Sequence, residues 1–374
     1  MRPSFKIMKK IASVLFCVLF FTSSQALSDE PQRGLFVSVI QSPPTLTSRE
    51  AIAELIDFSK KAGIQTLFVQ IYRANKAWFK SEVGDSSPYI AALQSVGEDP
   101  LALLIQSAHA QGIEVHAWLN LLSLSDNQNA PLLKKHGLEI LTRNMEEKKS
   151  VADYLIDNQY WLEPGDLRVR QELSKMVAEV VKTYPDLDGI QLDYIRYPDT
   201  KPAYGYTLPN LKRFVSVTGS EKINEKTEEW RKWKRDQVTE LVKLLRSRAL
   251  GMNPKLHFST TGCMSYVRAR EEAFQDWALW LNEGVVEFVT MMSYPPDVAT
   301  FEKYLTEAKN KVDDFTKVNV GLGAYKLAKN PNIFSEQWKI CEKSGGRSCV
   351  AFHYGDLVET PALAEPLRLN GPQA

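Results

Sequence analysis

The chemistry of this sequence turns on one carboxylate at the end of a short apolar run. The run reads Asp188-Gly189-Ile190-Gln191-Leu192-Asp193-Tyr194-Ile195-Arg196-Tyr197-Pro198. Side chains alternate along a strand, so Gln191 and Asp193 share the face opposite Ile190 and Leu192. A carboxylate turned inward is costly unless hydrogen bonds or a cation hold it. Arg196 is the expected cation. The plain alternative is a structural Asp–Arg pair that closes the strand. A place at the mouth of a barrel favours a catalytic Asp193 instead.

Other runs end in residues of the same kind. They are Gln70-Ile71-Tyr72-Arg73 with Trp78 shortly after, His116-Ala117-Trp118-Leu119-Asn120, Ser293-Tyr294-Pro295-Pro296-Asp297 and His353-Tyr354-Gly355-Asp356. Sugars are held by aromatic faces under their C–H bonds and by fixed amides, carboxylates and guanidiniums on their hydroxyls. Tyr72, Arg73, Asn120, Tyr194, Arg196, Tyr294, His353 and Asp356 are therefore the candidate substrate contacts. Trp118 reads more as core, and His116 and His257 read as core histidines. Cleaving a glycosidic bond usually takes two carboxyls, roughly 5 Å apart for retention and roughly 6.5–9.5 Å for inversion. Beside Asp193, the candidates for the acid are Glu163 and Asp297, ahead of Asp356. Glu271, Glu272 and Asp276 read as helix-start acids or exposed charge.

These residues need strands to position them. The expected strands are 33–39, 66–72, 114–120, 189–195, 255–261, 288–294, 318–325 and 348–354, several of them near-continuous apolar runs of the parallel, doubly buried kind. Amphipathic helices are expected at 48–62, 100–111, 167–183, 225–250 and 269–281. Glycine often follows a helix, as in Lys61-Ala62-Gly63 and Ala110-Gln111-Gly112, which is C-cap chemistry. Eight strands alternating with helices predict an α/β fold, a (β/α)8 TIM barrel in a single domain. An open doubly wound sheet is the structural alternative, but no glycine-rich nucleotide loop follows the first strand. Long segments, 73–99 and 121–166, follow strands two and three. Both leave C-terminal strand ends, so they are expected to wall a cleft.

Bulk properties narrow the function. Residues 1–26 carry a basic head, an apolar run at 11–21 and Ser24-Gln25-Ala26, the pattern of a secretory signal peptide. The barrel is then expected over 27–374, in an exported protein, periplasmic or secreted. No later run is long enough to span a membrane. Net charge is +1, from 46 basic and 45 acidic residues, so nucleic acid is not an expected partner. Cys263, Cys341 and Cys349 would survive cleavage. Cys341 and Cys349 could pair across the turn at Gly345-Gly346, or all three could be buried thiols. The five histidines stand singly at 109, 116, 136, 257 and 353, with no paired metal motif. No metal or cofactor is expected, and a metal-dependent polysaccharide deacetylase is disfavoured.

The order and spacing of several segments resemble the bacterial glycosyl hydrolase-like 10 family. They are Phe68-Val69-Gln70, Asp99-Pro100-Leu101, Glu114 through Asn120, Trp161-Leu162-Glu163-Pro164-Gly165, Asp188 through Pro198, Gln275-Asp276-Trp277 and Trp280 through Gly284. The resemblance implies a barrel glycosidase without cofactor acting on a polysaccharide, and some members act on peptidoglycan glycan strands. The family commonly carries two adjacent acids at the end of strand four, where this chain has Asp193 then Tyr194. It frequently has an Asn where this chain has Glu163. The run through Asp193, with Met292-Ser293-Tyr294, is also similar to the chitinase-type barrel. The catalytic Glu of that barrel would fall at Ile195 here. If the substrate carries N-acetyl groups, Asp193 could orient a neighbouring acetamido nucleophile. The alternative to a glycosidase is a degenerate barrel that binds glycans without cutting them.

Overall fold

The computed structural model describes residues 31–199 and 204–368. The expected signal peptide, 1–26, lies outside the described residues. Eight parallel strands form a closed barrel: β1 (Gln32–Val37), β2 (Thr66–Arg73), β3 (Glu114–Asn120), β4 (Gly189–Asp193), β5 (His257–Cys263), β6 (Phe288–Ser293), β7 (Val318–Gly323) and β8 (Ser348–Phe352). Each pairs with the next, and β8 closes on β1, with Gly34 opposite Val350. The (β/α)8 expectation holds.

Alternation divides the core in two. Ile190 and Leu192 of β4 belong to the layer between strands and helices, together with Val115, Ala117 and Leu119 of β3. The opposite faces fill the barrel, where Phe36, Phe68, Trp118, Phe288 and Val350 form a separate aromatic plug. His116 lies on that inner face, buried and stacked 5.9 Å from His257. A Cβ at Gly189 would come within 2.3 Å of the His116 ring, so the glycine makes room for the imidazole.

The helices begin where the chain can cap them. Helix α1 (Arg49–Lys61) starts at Ser48, whose hydroxyl accepts from the Ala51 N–H. Helix α2 (Pro100–His109) starts at Asp99, which accepts from Leu101 and Ala102, with Pro100 in the first turn. Helix α3 (Leu167–Thr183) packs along α4 (Glu228–Met252), which also touches β5. The helix expected over 269–281 is instead two short ones, Tyr266–Glu271 and Trp277–Asn282. Between them Phe274 takes φ 54, and the Gln275 amide bonds the Cys263 N–H and the Thr261 carbonyl. Capping the end of β5 in this way costs the helix its middle turn.

Cys341, at the end of the helix Pro331–Glu342, is bonded to Cys349 of β8. Cys263 is a free buried thiol. Of the two readings open for the cysteines, the bridged one is found. Closing so short a loop is worth about 2–3 kcal/mol through the unfolded chain. The Cys341→Ser/Cys349→Ser variant is therefore expected to unfold at lower urea by that difference, read by circular dichroism. An unchanged midpoint would show that the bridge contributes nothing to stability.

Candidate active site

The barrel opens at its C-terminal strand ends into a cavity of about 500 Å³. Asp193, Tyr194, Arg196, Arg73, Asn120 and Tyr294 all line it, so six of the eleven candidate residues come together there.

Asp193 is the floor of this cavity and 5% exposed. Its Oδ2 accepts from the Trp118 indole at 2.9 Å, and its Oδ1 accepts from the Thr261 hydroxyl at 2.6 Å. The third donor is the N–H of Tyr194, at 2.7 Å from Oδ1. Tyr194 sits at φ 50, a left-handed conformation costing roughly 1 kcal/mol in a non-glycine residue. That turn stops β4 at Asp193, two residues before the expected end, and aims the amide back at the carboxylate. With three donors directed at it, Asp193 is arranged as an acceptor.

Arg196 does not hold Asp193 by a hydrogen bond. Its guanidinium lies 5.2 Å from the Trp161 ring and 5.1 Å from the Tyr194 ring, and pairs with Asp199 at 3.2 Å. Asp199 also takes Arg268 at 2.6 Å. Among the described residues, Asp193 and Asp199 are the carboxylates on the cavity wall. A relay orders the opposite side: Ser38 donates to Gln70 Oε1 at 3.0 Å, and Gln70 Nε2 donates to Asn120 Oδ1 at 3.1 Å. Asn120 Nδ2 is left as a donor beside the cavity.

Tyr294 is built in by its neighbours. A Cβ on Gly323 would approach the Tyr294 side chain to 2.8 Å, so β7 is bare where the ring crosses it. Its hydroxyl is buried and has no hydrogen-bond partner among the described residues. Burial, and then the charge of Asp193, push this phenol far above its ordinary range. It remains a proton donor. Cys263 also lines the cavity, but burial pushes its thiol up, which argues against a thiolate nucleophile.

Five candidates are placed elsewhere. Tyr72 is fully buried in the outer layer, its hydroxyl taking the Asn75 amide at 2.8 Å. The cause is an irregularity in β2: Gln70 is opposite Trp118, but Tyr72 is opposite Leu119. The extra residue, Ile71, turns Tyr72 out and Arg73 in. Glu163 is fully buried away from the cavity, accepting from Tyr197 at 2.5 Å, Thr142 at 2.8 Å and the Gly165 N–H at 3.1 Å. Burial raises its pKa against those hydrogen bonds. Its long segment folds back on itself, through Leu141 opposite Leu162, before reaching the mouth. Asp297 caps the helix Val298–Lys309, accepting from Thr300 at 2.8 Å. His353 and Asp356 form the capping box of the helix Tyr354–Glu359. In that box Asp356 accepts from the His353 N–H at 3.1 Å, and His353 Nδ1 accepts from Gly355. Each of these four thus has a structural task.

Glu163→Gln is accordingly expected to leave turnover within about threefold, because the amide can still bond Thr142 and Tyr197. Glu163→Ala is expected to lower stability by about 1–3 kcal/mol, since it strips buried donors of their acceptor. A folded Glu163→Gln protein without activity would return Glu163 to the chemistry.

Trp118, Thr261, Gln70 and Asp199 are site residues that the sequence reading did not select. Trp118 left a trace, since it shares strand parity with Asn120, which lies opposite Asp193, and Gln70 stands in one of the strand-end runs. Among the described residues no three His, Cys, Asp or Glu side chains are grouped as metal ligands, and no helix is long and apolar enough to cross a membrane.

The fold has counterparts among solved structures. The glycoside hydrolase domain of PgaB (BpsB) from Bordetella bronchiseptica superposes with TM-score 0.70 at 14% identity, over 91% of this chain and all of that one. The catalytic domain of a β-amylase from Paenibacillus polymyxa gives 0.59 at 11% identity, over 90% and 95%. At such identities the likeness is one of fold. By sequence, the chain is 22% identical over 354 residues to "Glycosyl hydrolase DigH" of Escherichia coli K12, covering 84% of this chain and 77% of that protein. It is 24% identical over 363 residues to "Glycosyl hydrolase YngK" of Bacillus subtilis, covering 88% and 66%. The model of the glycosyl hydrolase-like 10 family matches residues 33–340, most of the sequence, and the chain belongs to that family.

Proposed function

We propose that the protein is an exported glycoside hydrolase that cleaves a polysaccharide, with Asp193 as its central carboxylate. One observation carries this reading. A carboxylate held by three donors forms the floor of a cavity at the catalytic end of a barrel, beside a buried and unpartnered Tyr294 hydroxyl. The acceptor arrangement suits a nucleophile, a base or an oxocarbenium stabiliser rather than the acid. With an N-acetylated substrate, Asp193 orients the acetamido group instead. The Cys341–Cys349 bridge fits an oxidising compartment, periplasm or medium, and peptidoglycan glycan strands are the first substrate to test.

The second reading is a barrel that binds glycans without cleaving them. It is favoured by Asp199, the other carboxylate of the cavity, being engaged by two guanidiniums. The two readings separate in one experiment. Protein from Leu27 onward and its Asp193→Asn variant are incubated with peptidoglycan, peptide-free glycan strands, chitin and α-glucan oligosaccharides. Products are read by mass spectrometry. New reducing ends from one substrate, absent with the variant, support the hydrolase. Retention of one glycan without cleavage supports the binding reading.

A further inference from the structure

A second recess, of about 480 Å³, adjoins the Asp193 cavity. The two share Ile40, which is 64% exposed, and Arg73. The far recess is walled by both long insertions: Lys76 and Trp78 from the first, and Asp126 through Asn129 from the second. Each volume falls in the range of small-molecule sites, roughly 300–1,000 Å³, and the two meet at Ile40 and Arg73.

The recess is preformed. The first insertion turns sharply at Ala74 and Asn75, with φ 54 and 57, and pairs Arg73 with Lys76 as a short antiparallel ladder. The buried Asn75 then joins the insertions, its Oδ1 accepting from the Leu132 N–H at 2.9 Å and its Nδ2 donating to Val83. Asn127 makes a second tie, donating to the Ala74 carbonyl at 2.8 Å. A wall so fixed loses little entropy when a ligand settles on it. Its lining is nonetheless uncommitted. Among the described residues no hydrogen bond or ion pair engages the side chains of Arg73, Lys76, Asp126 or Gln128. The half-buried Trp78 stands among them with its indole N–H unpaired. One aromatic ring surrounded by free donors and acceptors recognises a sugar: the ring takes the C–H face and the polar groups take the hydroxyls.

We propose that this recess is a distal subsite binding the continuation of the glycan whose scissile bond lies over Asp193. The proposal rests on the glycosidase reading for its polarity, but it is tested by binding as well as by cleavage. Chitin and α-glucan oligosaccharides of two to eight sugars, and peptide-free glycan fragments of matched lengths, serve as probes. The wild type is expected to cleave longer members of its preferred series at least ~10-fold more efficiently in kcat/KM than the shortest. The Trp78→Ala variant is expected to lose most of that gain. Because Trp78 also packs on the core, the Asp126→Ala/Gln128→Ala variant, altered only at exposed loop positions, repeats the test. If no probe is cleaved, the hydrolase reading fails separately. Calorimetric affinity for the same series then decides the subsite, with tighter binding of longer chains that these variants abolish. Length-independent cleavage and affinity, or a length gain unchanged in both variants, overturns it.

Discussion

Asp193→Asn is expected to lower turnover by at least ~100-fold in a protein that still folds. The substitution keeps the outline of the side chain and removes its charge. Its hydrogen bonds cannot all survive. If the new carbonyl stays at the Oδ1 position, it keeps the Tyr194 N–H and the Thr261 hydroxyl, but its amide then faces the Trp118 N–H. If the group flips, the amide faces the Tyr194 N–H instead. Either way two donors oppose each other, at a cost of about 1–3 kcal/mol. A domain with about 5–15 kcal/mol of stability absorbs that loss and remains folded. The measurement is kcat on the cleaved substrate beside a thermal melt of the same preparation. A cooperative melt a few degrees lower with turnover nearly gone places the charge in the mechanism. Near-normal turnover in a folded variant removes Asp193 from it.

The reason the inward side of Asp193 was legible in the sequence, while the placement of Glu163 and Tyr72 was not, is a matter of distance along the chain. Strand β4 is short and buried on both faces, so Ile190, Gln191, Leu192 and Asp193 announce their sides by plain alternation. The same rule applied to β2 would send Gln70 and Tyr72 to one side. It fails at Ile71 because a turn at Ala74-Asn75, tied to Leu132 in the other insertion, reshapes the strand end. Nothing local to Tyr72 reports a contact made by a residue so far away. The placement of Glu163 was hidden for a related reason, because its segment must be traced through a long irregular path before its burial under Thr142 and Tyr197 becomes apparent. The barrel itself was legible, since continuous apolar runs between amphipathic helices admit few other architectures. The partners of Asp193 were not. That Trp118 and Thr261 meet it depends on the stagger of neighbouring strands, which single runs do not encode.

Tyr294→Phe is expected to separate function from stability in the opposite way. Tyr294 lines the cavity, and its buried hydroxyl has no partner among the described residues. Removing it takes away an unsatisfied polar group, so the melting temperature should hold or rise. The ring stays seated against Gly323 and beside Phe352 at 5.4 Å, so the packing is unchanged. Turnover is nevertheless expected to fall roughly 10- to 100-fold, the worth of one hydrogen bond to a group that gains charge as the glycosidic bond breaks. Burial and the neighbouring Asp193 keep the phenol protonated, so the fall should be the same from pH 5 to pH 8. A residue kept only for packing would show the same unchanged or higher melt but intact turnover, since Phe keeps the ring. A polar atom that weakens the fold where it sits has to be explained by what it meets when the cavity is filled. The variant measures that directly, because the same deletion should help the empty protein and harm the occupied one.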